Sequence, residues 1–341
     1  MTIIRRVFAF LTSFLLGLLG TTGFTVGQRA ANLRVTAYII ADSAAMMEAV
    51  DESHFSALTD IILIGSLARF DKDGVVRLCP DFGRIVDVAR AKIGEEPVRL
   101  HLNVFGPGAL AGETFEEQMY SQGEEHKKAF ASGVLEENLR AVLEEYGLDG
   151  IFFDYEFPVA QEHKEAFGAF LVSLRKTLGD DYVLGAAESA WCAGLPKAAI
   201  RSLDMVEVMC YDLWDDDGTH SSLGLAQNVM KDMRKHGYKR SQLDMGIPFY
   251  ARPTTQEAYW YDYAGYYDKM DENGFALDES TGLVASFNTP AVVEAKTDWV
   301  IRKGYGGVMV WHYRCDLPAD NEASLFNAVL RARENAADTI S

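Results

Sequence analysis

A chain of 341 residues, 48% of them hydrophobic, carries enough apolar material for one large core, and a single α/β barrel reaches this size. Fifty acidic residues against 32 basic ones leave a net charge of −18. That balance disfavours nucleic acid and anionic membrane surfaces as partners and suits a neutral substrate.

The N-terminus reads as a separate unit. Arg5 and Arg6 precede an apolar run from Val7 to Leu19, followed by a Gly/Thr-rich stretch. This is the pattern of a signal peptide, and residues 1–28 are assigned to it. The run continues weakly through Phe24-Thr25-Val26 and shows no clean A-x-A cleavage site, so an uncleaved membrane anchor is the alternative. The paired Arg with Phe8 is a faint twin-arginine signal. Secretion or cell-envelope placement follows from either reading.

Beyond the leader, strand-like apolar runs recur at Leu33–Ala41, Asp60–Ser66, Val98–Val104, Gly150–Tyr155, Tyr182–Ala187, Met205–Tyr211, Leu243–Phe249 and Gly307–Trp311. Amphipathic segments at Ala141–Tyr146, Gln161–Leu178, Leu223–His236 and Ala291–Lys303 lie between them. Strand alternating with helix predicts parallel strands with right-handed crossovers, and eight repeats predict a closed (β/α)₈ barrel over residues 33–336. Thr289-Pro290 is a helix start, while Gly304 and Gly237 are helix stops. The Tyr-rich 253–288 segment is expected as a decorated loop over the rim, not a second domain.

Chemistry is expected at the strand C-termini. In Asp149-Gly150-Ile151-Phe152-Phe153-Asp154-Tyr155-Glu156, Phe152, Asp154 and Glu156 fall on one strand face. Acids delivered from a buried strand have displaced pKa values and suit acid–base work. The plainer reading is a polar turn after a strand. Met209-Cys210-Tyr211-Asp212, Gly246 to Arg252, and Gly306 to Trp311 end three further runs and converge on the same mouth.

Read together, these four stretches resemble glycoside hydrolase family 18, the chitinases and endo-β-N-acetylglucosaminidases. Its strand-4 pattern D-G-x-D-x-D-x-E is matched except at Phe152, and its M-x-Y-D, G-x-P-x-Y-G-R and G-G-x-M-x-W patterns are matched with Ala251 in place of one Gly. The resemblance implies a retaining mechanism in which the sugar's own 2-acetamido oxygen attacks. Glu156 is then the general acid and base, Asp154 accepts the acetamido N–H, and Tyr211 aligns its carbonyl. Asp212 and Met209 contact the same sugar, and Trp311 forms the floor on which the ring stacks. For Arg252, a structural salt bridge competes evenly with substrate contact. Tyr38 and Asn103, pointing inward from strands 1 and 3, are expected to support Asp154 from below. Phe152, where the family has a middle Asp, fills the barrel interior and cannot share a proton.

Other residues carry weaker signals. Glu188 reads as a helix N-terminal charge rather than a subsite acid. Trp191, Trp214, Trp260 and Tyr261 lie on rim loops, where packing and sugar stacking are equal readings. Cys79, Cys192, Cys210 and Cys315 show no metal spacing, and Cys210 reads as a core residue. There is no HExxH, P-loop or GxGxxG, so no metal and no cofactor is expected. The expected partner is an N-acetylglucosamine-containing oligo- or polysaccharide, cleaved by a monomer. The alternatives are a silent, lectin-like glycan-binding barrel, or an enzyme acting on peptidoglycan or N-glycan cores.

Overall fold

The computed structural model describes residues 24–108, 111–156, 160–189 and 194–338. Eight parallel strands close into one barrel: β1 (Arg34–Ile40), β2 (Asp60–Ile64), β3 (Arg99–Val104), β4 (Gly150–Asp154), β5 (Val183–Glu188), β6 (Met205–Val208), β7 (Leu243–Pro248) and β8 (Gly307–Trp311). Each strand pairs with its sequence neighbours, and β8 pairs with β1. All eight fall on the predicted runs. Barrel strands are covered on the outside by helices, which is why they read as near-continuous apolar stretches.

The helices follow their caps. Helix Leu223–Lys235 starts where the Ser222 hydroxyl accepts from the Leu225 N–H at 3.2 Å. Helix Pro290–Lys303 starts at Thr289 and stops at Gly304, a left-handed residue at φ 68°. Helix Gln161–Leu178 has the predicted bounds. The predicted Ala141–Tyr146 segment is the second half of helix Leu135–Tyr146. Among the described residues no helix is long and apolar enough to cross a membrane. Residues 1–23, the bulk of the assigned leader, lie outside the described residues, as do Trp191 and Cys192. Residues Val26–Ala31 form a short helix, and Arg29 Nη1 in it donates to the Arg302 carbonyl at 2.7 Å.

The 253–288 segment is more ordered than a decorated loop. Tyr250–Pro253, Tyr261–Asp262, Phe275–Asp278 and Leu283–Ser286 make a four-stranded antiparallel sheet beside the barrel. Short strands separated by Asp-Glu-Asn-Gly and Ser-Thr-Gly turns hid this sheet from periodicity.

Two kinds of packing fill the molecule. Between barrel and helices lies a large apolar layer. Inside the barrel, Tyr38, Ile62, Ile64, Phe152, Met205 and Met309 form a smaller cluster. The interior also holds a polar floor, which the apolar reading of the strands did not anticipate. Buried Asp60 accepts from His101 Nε2 at 2.7 Å and Arg99 Nη2 at 3.0 Å, and Arg34 makes a two-point bond to buried Asp244 at 2.6 and 3.0 Å. These partners satisfy charges that would otherwise be too costly to bury.

Candidate active site

A cavity of about 280 Å³ opens at the strand C-termini, lined by Tyr38, Asp154, Glu156, Ala187, Met209, Tyr211, Asp212, Tyr250, Arg252, Trp260 and Trp311. Eight of the nine predicted site residues line it. Asn103 does not. It is fully buried, and neither end of its amide has a partner among the described residues. Asn103 pairs in register with Phe152 and lies in the barrel interior.

Asp154 is the last residue of β4, and Glu156 follows two residues later. Between them Tyr155 turns outward and packs against His126 and Phe167, at ring distances of 4.6 and 5.1 Å. That outward anchor leaves both acids facing the cavity. Asp154 and Glu156 hydrogen-bond to each other. Burial, then the Glu156 charge, hold the Asp154 carboxyl well above the usual carboxylate range. Burial and the Asp212 charge raise Glu156, while its bond to Asp154 pulls it down. Two carboxyls this close titrate as a pair rather than as independent groups.

Tyr211 and Asp212 lie beyond the end of β6, which stops at Val208 instead of running to Tyr211. Beyond the ladder the chain turns at Asp212, which adopts φ +55°. Asp tolerates this conformation better than most residues. The turn is held from behind. The Asp212 N–H donates to His220 Nε2 at 2.9 Å, and the Ser221 hydroxyl donates to the Cys210 carbonyl at 2.6 Å. Lys296, fully buried, donates to the Ser221 carbonyl at 2.6 Å, the Ser221 hydroxyl at 2.9 Å and Asn288 Oδ1 at 2.6 Å. Burial pushes its ammonium down to about 7.

Arg252 resolves toward the salt bridge while still lining the cavity. Its Nε and Nη2 reach Asp212 Oδ1 and Oδ2 at 2.9 and 2.8 Å, and Tyr250 donates to Oδ1 at 2.6 Å. Against the opposing effect of burial, the Arg252 and Tyr250 donors hold the Asp212 carboxyl below the usual range. Asp212 therefore stays ionised. The Tyr211 and Tyr250 rings meet in a T-shaped contact at 6.0 Å, and the Tyr211 hydroxyl lies in the field of Tyr250, Tyr38, Asp154 and Glu156. Trp311 meets Tyr38 edge-on at 5.3 Å and leaves part of its surface to the cavity.

The rim aromatics divide. Trp260 lines the cavity and stacks on Tyr250 at 3.6 Å and 4°. Trp214 is tied to the Pro253 carbonyl and Tyr261 to Thr281, and neither lines the cavity. Glu188 is neither a helix charge nor a cavity residue. It is buried, accepts from the Tyr238 hydroxyl, and its carboxyl is pushed up by burial to about 7. Cys210 is a core residue, as expected. Tyr250 and His220 were not singled out from sequence. Tyr250 stood inside the strand-7 stretch, and His220 had no local signal.

The sequence profile of glycosyl hydrolases family 18 matches residues 54–316. Chitinase 63 of Streptomyces plicatus is 29% identical over 220 residues, which take in 49% of this chain and 36% of that protein. The chain thus spans well under half the length of this curated relative. Among solved structures, the chitinase ChiB of Flavobacterium johnsoniae superposes with a TM-score of 0.69 at 18% identity, covering 91% of this chain and 97% of that one. The chitinase-like agglutinin of Robinia pseudoacacia gives 0.63 at 18% identity, covering 87% and 99%. At these identities the superpositions establish the fold.

Proposed function

Because the chain belongs to glycosyl hydrolase family 18, we propose that it hydrolyses β-1,4-linked N-acetylglucosamine glycans, short chitin-like oligosaccharides foremost, with retention and by substrate assistance. The observation that carries this reading is the hydrogen-bonded Asp154–Glu156 pair in a cavity walled by Tyr211 and Trp311. A nucleophile and an acid that straddle a glycosidic bond stand about 5–5.5 Å apart, and an inverting pair about 6.5–9.5 Å. Two carboxyls bonded to one another fit neither arrangement. The remaining acid, Asp212, is engaged by Arg252 and Tyr250. The nucleophile then has to come from the substrate.

In this reading the Glu156 carboxyl, whose hold on its proton is strengthened by burial, gives that proton to the leaving oxygen. Asp154 gains full negative charge as it turns to the acetamido N–H and balances the oxazolinium that forms. The Tyr211 hydroxyl donates to the acetamido carbonyl and fixes it for attack. Trp311 supplies the stacking floor, with Tyr38 and Met209 beside it. Asp212 and Arg252, locked together, contact sugar hydroxyls as one rigid unit. Glu156, now a carboxylate, activates the water that opens the oxazolinium. The chain is exported in this account, with residues 1–28 as its leader.

Phe152, in place of a third acid on β4, favours one other reading, a barrel that binds glycans without cutting them. Incubation with chitooligosaccharides, muropeptides and a glycoprotein, with product masses read out, separates the two. Cleaved N-acetylglucosamine oligomers support hydrolysis. Binding with no product supports the second reading and overturns the first.

A further inference from the structure

Tyr211 and Asp212 reach the cavity at the start of a loop that doubles back on itself. Trp214 and His220 form an antiparallel bridge, and the Asp215 N–H donates to the Thr219 carbonyl at 3.0 Å. The loop thereby returns His220 to Asp212, whose N–H meets His220 Nε2 at 2.9 Å. His220 is itself fixed in place. Its N–H donates to Ser286 Oγ at 3.0 Å, and its carbonyl accepts from Asn288 Nδ2 at 3.2 Å. Its ring lies 5.6 Å from that of Trp214 and 5.5 Å from that of Tyr250, and the residue is fully buried.

That contact fixes the state of the ring. An amide N–H only donates, so Nε2 is the acceptor and carries no proton. The neutral imidazole then holds its proton on Nδ1, which has no partner among the described residues. A second proton has one place to go, Nε2, where it would face the Asp212 N–H across the same 2.9 Å. It would also lie 3.3 Å from Asp212 Oδ1. Protonation thus exchanges a bond to the Asp212 backbone for an attraction to the Asp212 side chain. The charged and titratable groups around the ring are Asp212 on its own loop, Tyr250 and Arg252 on the strand Tyr250–Pro253, and Lys296 on helix Pro290–Lys303. Burial, then Lys296 and Arg252, disfavour the imidazolium; Asp212 favours it, and the balance lies below the usual histidine range.

We infer that His220 is a positioning residue of the candidate site: as the Nδ1–H tautomer it holds the turn that presents Tyr211 and Asp212 to the cavity, and its protonation releases that turn. Asp212 sits at φ +55°, a conformation that persists in a residue with a side chain only where its surroundings impose it. The Tyr211 ring has little room to compensate for a backbone shift, because it packs on Gly246, where a Cβ would come within 2.9 Å of Tyr211 Cε1. A buried histidine with one nitrogen unpaired is costly to keep, and the acceptor role of the other nitrogen explains its presence. This inference rests on the proposed hydrolysis for its kinetic test, and on spectroscopy for an independent one.

The kinetic test follows kcat and KM on a chitooligosaccharide across pH for wild type, His220→Ala and His220→Gln. The Gln side-chain oxygen takes the place of Nε2 as acceptor and does not titrate. His220→Ala is expected to lose about 10²-fold in kcat, the scale of a misplacement of about 1 Å, with a smaller change in KM. His220→Gln recovers most of that loss, and its acid limb is shallower than that of wild type by about one proton. The spectroscopic test uses proton–nitrogen NMR of protein labelled at the histidine rings and the backbone, with the His220 signals assigned by their absence in His220→Gln. Wild type is expected to show the Nδ1–H tautomer at neutral pH. In acid its Asp212 amide signal shifts together with the His220 ring, and in His220→Gln it stays in place. An Nε2–H tautomer at neutral pH overturns the inference, as does a His220→Gln enzyme as slow as His220→Ala or with the acid limb of wild type. If His220→Ala fails to fold, the comparison of His220→Gln with wild type and the spectra decide. If wild type cleaves no glycan, the proposed function fails, and the spectra alone decide the role of His220.

Discussion

Gly185 leaves the space that Phe152 fills: a Cβ on Gly185 would lie 2.1 Å from Phe152 Cε1. The two residues are register partners on β4 and β5, so this is a direct fit inside the barrel. The position where the family's pattern carries an acid has become an apolar packing site, and its neighbour is matched to it. Phe152→Asp therefore does two things at once. It removes a fully buried ring, a change on the scale of about 3–5 kcal/mol, and it places an acid among Tyr38, Ile62 and Met309. Denaturant unfolding should show that loss. A pH–rate profile should show a changed limb as the new carboxyl competes for the Asp154 proton. Intact stability with an unshifted profile would contradict the packing role.

The Asp154–Glu156 pair should cost stability. Both carboxyls have folded pKa values raised above the unfolded ones. Such groups contribute stability fully below the unfolded pKa and lose it as pH rises through the folded pKa. Asp154→Asn and Glu156→Gln should thus melt higher than wild type at neutral pH, by on the order of 1–2 °C for each kcal/mol relieved. The gap should close in acid. Thermal melts across pH check this, and variants that melt lower at neutral pH would contradict it.

Lys296 has the opposite linkage. Its ammonium is depressed to about 7, so between that value and its ordinary pKa the unfolded chain binds more protons than the folded one. Its contribution to stability therefore rises with pH from about 7 toward alkaline values. Lys296→Met should flatten that slope. It should also free the Ser221 and Asn288 oxygens that anchor the Tyr211–Asp212 turn, and lower kcat/KM by loosening Tyr211. Paired melts and kinetics test both effects, and an unchanged slope would remove Lys296 from the account.

Substrate assistance makes the acetamido group indispensable. Replacing N-acetylglucosamine units by glucose should abolish turnover, and a thiazoline mimic of the oxazolinium should inhibit. Comparable cleavage of a glucose oligomer, measured by released reducing ends, would contradict it.

The barrel was legible because each strand is a short apolar run bounded by polar turns, a pattern that survives without tertiary knowledge. Asp154, Glu156, Tyr211, Asp212 and Trp311 were legible because they stand at the ends of such runs. What stayed hidden depends on contacts between distant segments. His220 and Lys296 hold the Asp212 turn from 8 and 75 or more residues away. Asn103 faces inward, as its place on the strand implies, but does not line the cavity, because alternation gives the face of a strand and not the depth along it.

The most direct test of the central claim follows the anomer released from a chitooligosaccharide by proton NMR, for wild type and Glu156→Gln. Wild type should release the β-anomer first, before mutarotation, and Glu156→Gln should turn over about 10²–10⁴-fold more slowly while still binding the oligosaccharide. Initial release of the α-anomer, or a Glu156→Gln rate equal to wild type, would contradict it.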